Sequence, residues 1–568
     1  MSGKLNVGGR IIAFWIMIAL VFGALSPVRA AAPPDSGAAL NSIQQPEKQV
    51  PGETAPYDIN IPEPGTVPPA GSTAKIHVAG FRFSGETILP EKKLLGLITD
   101  RTGQDLTLDD LNNLAAKITR YIRGQGYLVA FACIPAQHIK GGVVEIVIVP
   151  GKYGVTKINN QAHIKTAHLQ ALLSTLKPGA IVTKHSLERV LLLLNDLAGI
   201  RTKAALTAGQ TPGTTDLIVD VSDGAKVGGD VNVDNWGSRY TGQNRGGVQL
   251  SLNNLAQFGD ALHLSGLTTG DGMTNGNCDY ALPLGDSGLK LNLKYSHVNY
   301  ALGADFAALD ASGAAAVYGA GLSYPLIRSR AVNLYGIFGF DGKQLKDVIN
   351  SAGANTPRTS SLWNIGISGN TSDTWGNGGL TAFTLTYSWG NLTIHDNSAA
   401  ATDASTADTP GSFHKVGFNV SRQQVLGPRL NLDLWASGQL ADKNLDSSEK
   451  FYLGGADGVR AYPQGEAAGD QGFRLTAELT WRIPKWSTAT SSFLLSAFSD
   501  YGSVTINKNP WDSSINTRSL CDAGLGVIWN PGAGFNIRCD YAFKIGNEAA
   551  TSDNEQGGRF WIRAVKSF

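Results

Sequence analysis

The sequence predicts a transmembrane β-barrel of about 16 antiparallel strands preceded by two small α+β domains. Three observations predict it. From residue 227 onward, apolar and polar residues alternate with period two over stretches long enough to cross a bilayer. Before that, two segments of about 75 residues each repeat the pattern order β-α-α-β-β. Charged residues make up 16% of the 568-residue chain and glycine numbers 68, against roughly 25% and ~7% in ordinary soluble domains. The net charge of +1 gives no pull toward nucleic acid, which is excluded as a partner.

The elements follow in chain order. Lys4 and Arg10 precede the apolar run IIAFWIMIALVFGAL (11–25), which Pro27 and the small-residue stretch VRAAAPP follow. This is a charged n-region, an h-region and an A-x-A-like cleavage site near Ala30 to Ala32. The run is shorter than the about 20 residues of a spanning helix. Residues 1–31 are therefore expected to be a signal peptide, so the mature chain leaves the cytoplasm. Residues 32–74 are Pro-rich and read as a linker holding one helix-capable stretch, SGAALNSIQQ.

The first small domain (75–151) opens with a strand at 75–85, followed by helices at 90–100 and 107–127. In the latter, Leu108, Leu111, Leu114, Ala115, Ile118, Tyr121 and Ile122 recur at helical spacing, with a capping-box-like start at Thr107 and Asp110 and a stop at Gly124. Strands at 128–135 and 143–151 close it. The second (152–224) repeats the order: a strand at 153–160, helices at 166–176 and 183–200, strands at 202–209 and 215–224. His163, His168 and His185 fall here without ligand spacing, and no metal or other cofactor is expected.

The barrel occupies 227–568. In LKLNLKYSH (289–297), Leu289, Leu291, Leu293 and Tyr295 share one face, with Lys290, Asn292 and Lys294 on the other. TAFTLTYSW (381–389), LNLDLWAS (430–437), FRLTAELTWRI (473–483) and FNIRCDYAFKI (535–545) alternate in the same way. A soluble sandwich would hide the apolar face; a membrane barrel shows it to lipid. Strand length favours the barrel, as do aromatics near strand ends (Tyr387, Trp389, Trp481, Trp529). The polar face, with Arg474, Glu478 and Arg482 in one strand, suits a wet lumen. The last strand, GRFWIRAVKSF, puts Phe560, Ile562, Ala564, Lys566 and Phe568 on one face. The terminal aromatic Phe568 resembles the signal that bacterial barrels usually offer the outer-membrane assembly machinery, a likeness to known barrels rather than a reading of spacing; Lys566 departs from the apolar residue expected there.

Cys133, Cys278, Cys521 and Cys539 lack CxxC or metal spacing and read as thiols without a catalytic role. GDSG (285–288) mimics a serine-protease motif but reads as a turn between two strands, with no His/Asp partner placed around it. No enzyme activity is expected.

One stretch needs a reason of its own: GGADGVRAYPQGEAAGDQGFRLTAEL (454–479), a glycine-rich loop carrying Arg460 and Asp470 straight into an alternating strand. With two β-α-α-β-β repeats and a C-terminal barrel, the chain resembles the two-partner secretion transporters of the ShlB/FhaC/HecB (TpsB) family from residue 75 to 568. The repeats resemble that family's POTRA domains. The loop carries the resemblance most sharply: Val459, Arg460, Ala461 and Tyr462 match a Val-Arg-Gly-Tyr tetrad, and Gly469, Asp470, Gln471 and Gly472 match Gly-Asp-x-Gly. Ala461 stands where the family has glycine, and would be costly if that position needs φ > 0.

The resemblance implies that the loop folds back into the lumen and that Arg460 pairs with an acid on the wall. The matching wall segment is Phe498–Ser499–Asp500. It implies a plug helix, matched by PDSGAALNSIQQP. It also implies a bacterial outer-membrane location, periplasmic POTRA domains, and a large exported partner captured unfolded and bound through POTRA domains and lumen, without ATP. The runner-up is an outer-membrane protein assembly insertase of the same superfamily, which usually carries more POTRA repeats. No motif names the cargo, whether adhesin, haemolysin or contact-dependent toxin.

Overall fold

A computed structural model describes residues 33–44, 58–60 (backbone only) and 74–568. The expected signal peptide and most of the expected linker lie outside the described residues. Within the linker stand helix α1 (Ser36–Gln44) and a short strand β1 (Asp58–Asn60).

The first α/β unit differs in detail from its sequence reading. The strand expected over 75–85 is two strands, β2 (Lys75–Val78) and β3 (Gly80–Gly85). They part at Ala79, whose N–H turns to the Gly142 carbonyl. Helix α2 covers only Glu91–Leu95, and a 3₁₀ turn follows at Thr99–Arg101. Strand β4 (Gln104–Thr107) pairs with β2, and it was illegible because four residues are too few to show a period. Helix α3 (Leu108–Gly124) starts on a capping box in which Thr107 and Asp110 each accept the other's backbone N–H. Its buried stripe, Leu111, Leu114, Ala115, Ile118 and Ile122, packs on Val144, Ile146 and Ile148. Those three come from β6 (Val143–Val149), which lies between β3 (parallel) and β5 (Phe131–Cys133, antiparallel).

The second unit comprises β7 (Lys152–Asn160), α4 (Thr166–Leu173), α5 (Lys184–Asn195), β8 (Ile200–Ala208) and β9 (Thr214–Asp223). Its sheet runs β1-β8-β9-β7, so the linker strand β1 forms one edge, parallel to β8. Leucines 187, 191, 192 and 194 of α5 fill the core against Leu217, Val219 and Val221. This unit is bolted to the barrel rim. The Arg328 guanidinium donates to both oxygens of Asp196 at 2.9 and 2.7 Å, and Arg189 donates to the Pro325 carbonyl at 2.9 Å.

The barrel strands are β10 (Val227–Asp234), β11 (Arg245–Asn253), β12 (Ala261–Thr268), β13 (Met273–Leu284), β14 (Leu289–Ala301) and β15 (Ala311–Arg328). There follow β16 (Val332–Ile349), β17 (Ala354–Asp373), β18 (Gly379–Ile394), β19 (Gly411–Gly427) and β20 (Leu430–Ala441). A small hairpin, β21 (Phe451–Tyr452) with β22 (Ala468–Gly469), interrupts the wall. The wall resumes with β23 (Gln471–Arg482), β24 (Ser492–Thr505), β25 (Thr517–Gly532), β26 (Phe535–Lys544) and β27 (Gly558–Ser567). Sixteen strands run as neighbouring antiparallel pairs, and β10 pairs with β27 to close the ring. Closure removes both sheet edges, which a lipid setting demands because unpaired backbone groups find no water there.

The period-two pattern sets which face meets lipid. Leu385, Tyr387, Leu475, Trp481, Leu525 and Trp529 point outward and are exposed, while Arg474, Glu478, Asp500 and Asp522 are buried inside. The backbone of Phe568 exchanges two hydrogen bonds with Gly229, and its ring is exposed. The out-of-pattern Lys566 reaches back to the Ala533 and Ser567 carbonyls, which lets its ammonium leave the apolar face. GDSG forms the β13–β14 turn, and all four cysteines are free thiols.

Candidate functional site: a buried loop clasp in the lumen

The loop between β20 and β23 returns into the barrel. Val459 and Tyr462 are fully buried and pack with Leu453, Val504 and Leu520. Among the described residues Arg460 is one of the largest fully buried side chains, 1% exposed.

Its guanidinium is surrounded by the wall. Nε donates to Asp500 Oδ2 at 2.7 Å and Nη2 to Oδ1 at 3.2 Å, a bidentate pair. Nη1 donates to Glu478 Oε2 at 3.0 Å and lies 3.5 Å from Asp540 Oδ2. The Phe498 ring stacks under the guanidinium, 3.2 Å from ring centroid to Cζ. The loop backbone is held as well: Trp561 Nε1 donates to the Arg460 carbonyl at 2.6 Å, and the Ala461 N–H donates to Asp522 Oδ2 at 2.6 Å. Each of strands β23 to β27 thus contributes at least one of these contacts, and β24 contributes two.

Asp500 and Phe498 share the lumenal face because they stand two apart on β24. Thr476 Oγ1 donates to Asp500 at 2.6 Å, and Arg538 donates to both Glu478 oxygens at 2.7 and 2.9 Å. Four carboxylates here face two guanidiniums, so Arg460 is the group that lets these acids sit together in a dry pocket.

Ala461 is not among the described residues with positive φ, so alanine costs no backbone strain there. The non-glycine residue with positive φ in this loop is instead Ala467, at φ 54°, alongside Gly455 and Gly465. Gly469 does need to be glycine: an added Cβ would sit 2.6 Å from the Thr505 carbonyl oxygen. Asp470 lies away from Arg460 and braces the loop's base. It accepts from the Leu445 N–H at 3.0 Å, the Lys508 N–H at 2.8 Å and Lys450 Nζ at 2.8 Å. Gly472, the second residue of β23, pairs with Val504, whose side chain an added Cβ would meet at 2.6 Å.

Sequence reasoning missed a second anchor. Glu466, fully buried, accepts from the backbone N–H groups of Thr551 (3.0 Å) and Ser552 (2.8 Å) and pairs with Arg518. It also missed Glu478, Asp522, Asp540 and Trp561 as partners of the tetrad. Their lumenal register was readable, but which of sixteen strands would face the loop was not.

The other occupant of the lumen is α1. Asp35 caps it by accepting the Ala38 N–H at 2.9 Å. Leu40 is fully buried with Val298, Tyr300, Ala315 and Leu345 of the inner wall. Arg358 donates to Asp347 and Asp446 at 2.5 Å each and to Asp35 at 3.0 Å, joining wall, loop and helix through one guanidinium. Asn41 donates to the Ser447 carbonyl at 2.7 Å. Helix and loop touch so closely that a Cβ on Gly37 would collide with Ser447 Oγ and the Ser448 nitrogen.

A family model for the haemolysin secretion/activation protein ShlB/FhaC/HecB matches residues 213–527, and one for the ShlB-type POTRA domain matches 76–151. The heme/hemopexin transporter protein HuxB of Haemophilus influenzae is 28% identical over 483 residues, 84% of each chain. The outer membrane transporter CdiB of Dickeya dadantii is 23% identical over 413 residues, covering 71% of this chain and 72% of its own. Among solved structures, CdiB from Escherichia coli superposes with a TM-score of 0.69 at 18% identity, covering 89% of this chain and 93% of that one. BamA from Haemophilus ducreyi, lacking POTRA domains 1–3, superposes at 0.50 and 15% identity over 87% of this chain and 100% of its own. These two likenesses concern the fold.

Proposed function

Because the chain belongs to the ShlB/FhaC/HecB family of haemolysin secretion/activation proteins, it is an outer-membrane transporter for a partner exoprotein, and we propose how its parts divide that work. The two α/β units face the periplasm and receive the partner unfolded, each acting as a POTRA domain. Helix α1 rests in the lumen as a plug. The loop carrying Arg460 is clasped to the wall and gives the conduit its working shape.

The observation that carries this reading is the burial of Arg460 against Asp500, Glu478 and Asp540 in the same lumen that holds α1. A passive pore has no use for a plug tied through Arg358 to both loop and wall. Such a tie supports a channel that opens only when a chain enters. The likeness to HuxB makes an exoprotein that handles haem or haemopexin the first cargo to look for.

The test is a comparison of culture supernatant and outer membrane from the source strain with and without this gene. Loss of one very large protein from the supernatant is expected. A broad fall in outer-membrane barrels with no missing exoprotein would make the chain an assembly insertase instead.

A further inference from the structure

We infer that Arg474 is the centre of a carboxylate-binding subsite on the lumenal wall, and that its ligand is an acidic side chain of an extended segment entering the barrel. This rests on the export reading above for the source of that segment and adds the chemistry that the conduit selects.

Arg474 differs from the other lumenal arginines. Arg245, Arg358, Arg460 and Arg538 each meet a carboxylate at 2.5–2.7 Å. Arg474 is 8% exposed and, among the described residues, makes no hydrogen bond and no ion pair. Asp457 and Asp500 attract it without touching it, and Asp500 is already held by Arg460 and Thr476. A buried guanidinium without an acceptor is costly, and an ionisable side chain at membrane depth marks a site of function.

The open side of Arg474 is a lumenal cavity of about 380 Å³, walled by β16 to β20 and β23. Strand register sets its floor. Tyr335 stands opposite Ser368, Ser368 opposite Thr384, Thr384 opposite Asn419, Asn419 opposite Ser437, and Ser437 opposite Arg474. Five inter-strand steps make a track of roughly 24 Å, the length of about seven extended residues. Its lower end lies at the junction with the second α/β unit. Asn333, two residues before Tyr335 on the same face, accepts from the Arg328 that pairs with Asp196. The track climbs from there, since Tyr335 is near the start of β16 and Arg474 is well inside β23. It ends beside the clasp, where Thr476 lines the cavity and donates to Asp500.

The lining decides the ligand. Hydroxyls and amides along the track can pair with the N–H and C=O groups of an extended backbone, and Tyr335 and Trp435 offer flat apolar faces. Among the described lining residues Arg474 alone is charged, so nothing in the cavity opposes an anion. A guanidinium fork fits a carboxylate through two parallel hydrogen bonds. An extended segment with an acid at its leading end satisfies both the track and its terminus.

The test is equilibrium binding to the full-length transporter in nanodiscs, read by isothermal titration calorimetry. The probes are the end-blocked peptide Thr-Gly-Thr-Gly-Thr-Asp-Thr and its isostere with Asn in place of Asp. The acidic peptide should bind about tenfold more tightly, the scale that separates a charge-assisted hydrogen bond from a neutral one. Arg474→Gln should bring the two to parity, with the isostere binding as it does to wild type. Arg474→Lys should keep part of the preference, because the charge stays and the fork is lost. No binding, equal affinities in wild type, or an acid preference that survives Arg474→Gln would overturn the assignment. Acetate that displaces the peptide at equal concentration would make the ligand a free carboxylate and overturn occupancy by a chain. Heat-modifiable mobility separates a ligand role from a structural one. Arg474 has no partner to lose, so Arg474→Gln should unfold at the wild-type temperature or above; a lower midpoint would mean that the arginine braces the wall and would overturn the ligand role. Export of the exoprotein by wild type is scored separately, so a missing acid preference with intact export sinks the subsite and leaves the export reading standing.

Discussion

Replacing Arg460 with alanine removes the centre of the clasp and leaves the wall otherwise intact. The side chain, 1% exposed, makes a bidentate pair with Asp500, a third hydrogen bond to Glu478 and a stack on Phe498. Taking one partner out of a buried ionic cluster costs about 3–5 kcal/mol, because the charges left behind stay unpaired in a dry site. Arg538 still neutralises part of the cluster, since it donates to Glu478 and Asp540, which places the cost toward the lower figure. At roughly 1.4 kcal/mol per tenfold, about 3 kcal/mol raises the undocked population of the loop by roughly two orders of magnitude. The assay is hydrogen–deuterium exchange of residues 453–470 in the detergent-solubilised protein, paired with export of the partner. Exchange in this loop should quicken by about that factor, export should be lost, and the barrel should remain inserted. Arg460→Lys should not rescue, because an ammonium cannot reproduce the bidentate fork. Arg460→Ala with Asp500→Asn should recover part of the protection, because one orphaned charge is gone. Unchanged exchange together with wild-type export from Arg460→Ala would refute the reasoning.

Two further outcomes follow from other parts of the molecule. Gly37→Leu drives a side chain into Ser447 and Ser448 without removing any charged group, so α1 should leave its seat and single-channel conductance in planar bilayers should rise toward that of a 33–74 deletion; conductance equal to wild type would refute the close fit. At the junction of the second unit with the barrel, hydrogen bonds from the His163 N–H (2.9 Å) and its ring (2.6 Å) hold the Asp223 carboxyl down at about 2. A depressed carboxylate contributes stability that is full above its unfolded value near 4 and is lost as pH falls through 2. Exchange of the His163 amide should therefore be faster in Asp223→Asn than in wild type at pH 6, with the gap closing between pH 4 and 2.

The sequence by itself determined the barrel, because a wall strand has only two environments and period-two alternation states both of them residue by residue. It also placed the α3 core stripe and its cap, whereas the pairing of Arg460 with Asp500 was implied by the family resemblance of the loop and not by periodicity. Two kinds of feature escaped it. Elements of three or four residues, such as β1 and β4, are too short to carry a period, and their pairing comes from the sheet they join. The composition of the clasp escaped for a different reason. Alternation says that Glu478, Asp522 and Asp540 point inward but not at what, since sixteen strands offer many inward acids. Only ring closure brings β23 to β27 around one point and aims the loop at it. The same holds for Arg358, which reads as one more lumenal charge until the fold sets Asp35, Asp347 and Asp446 around it. Asp347 faces Arg358 across the β16–β17 hairpin, but Asp35 and Asp446 stand far from it in the chain, and their arrival there is a property of the closed cylinder.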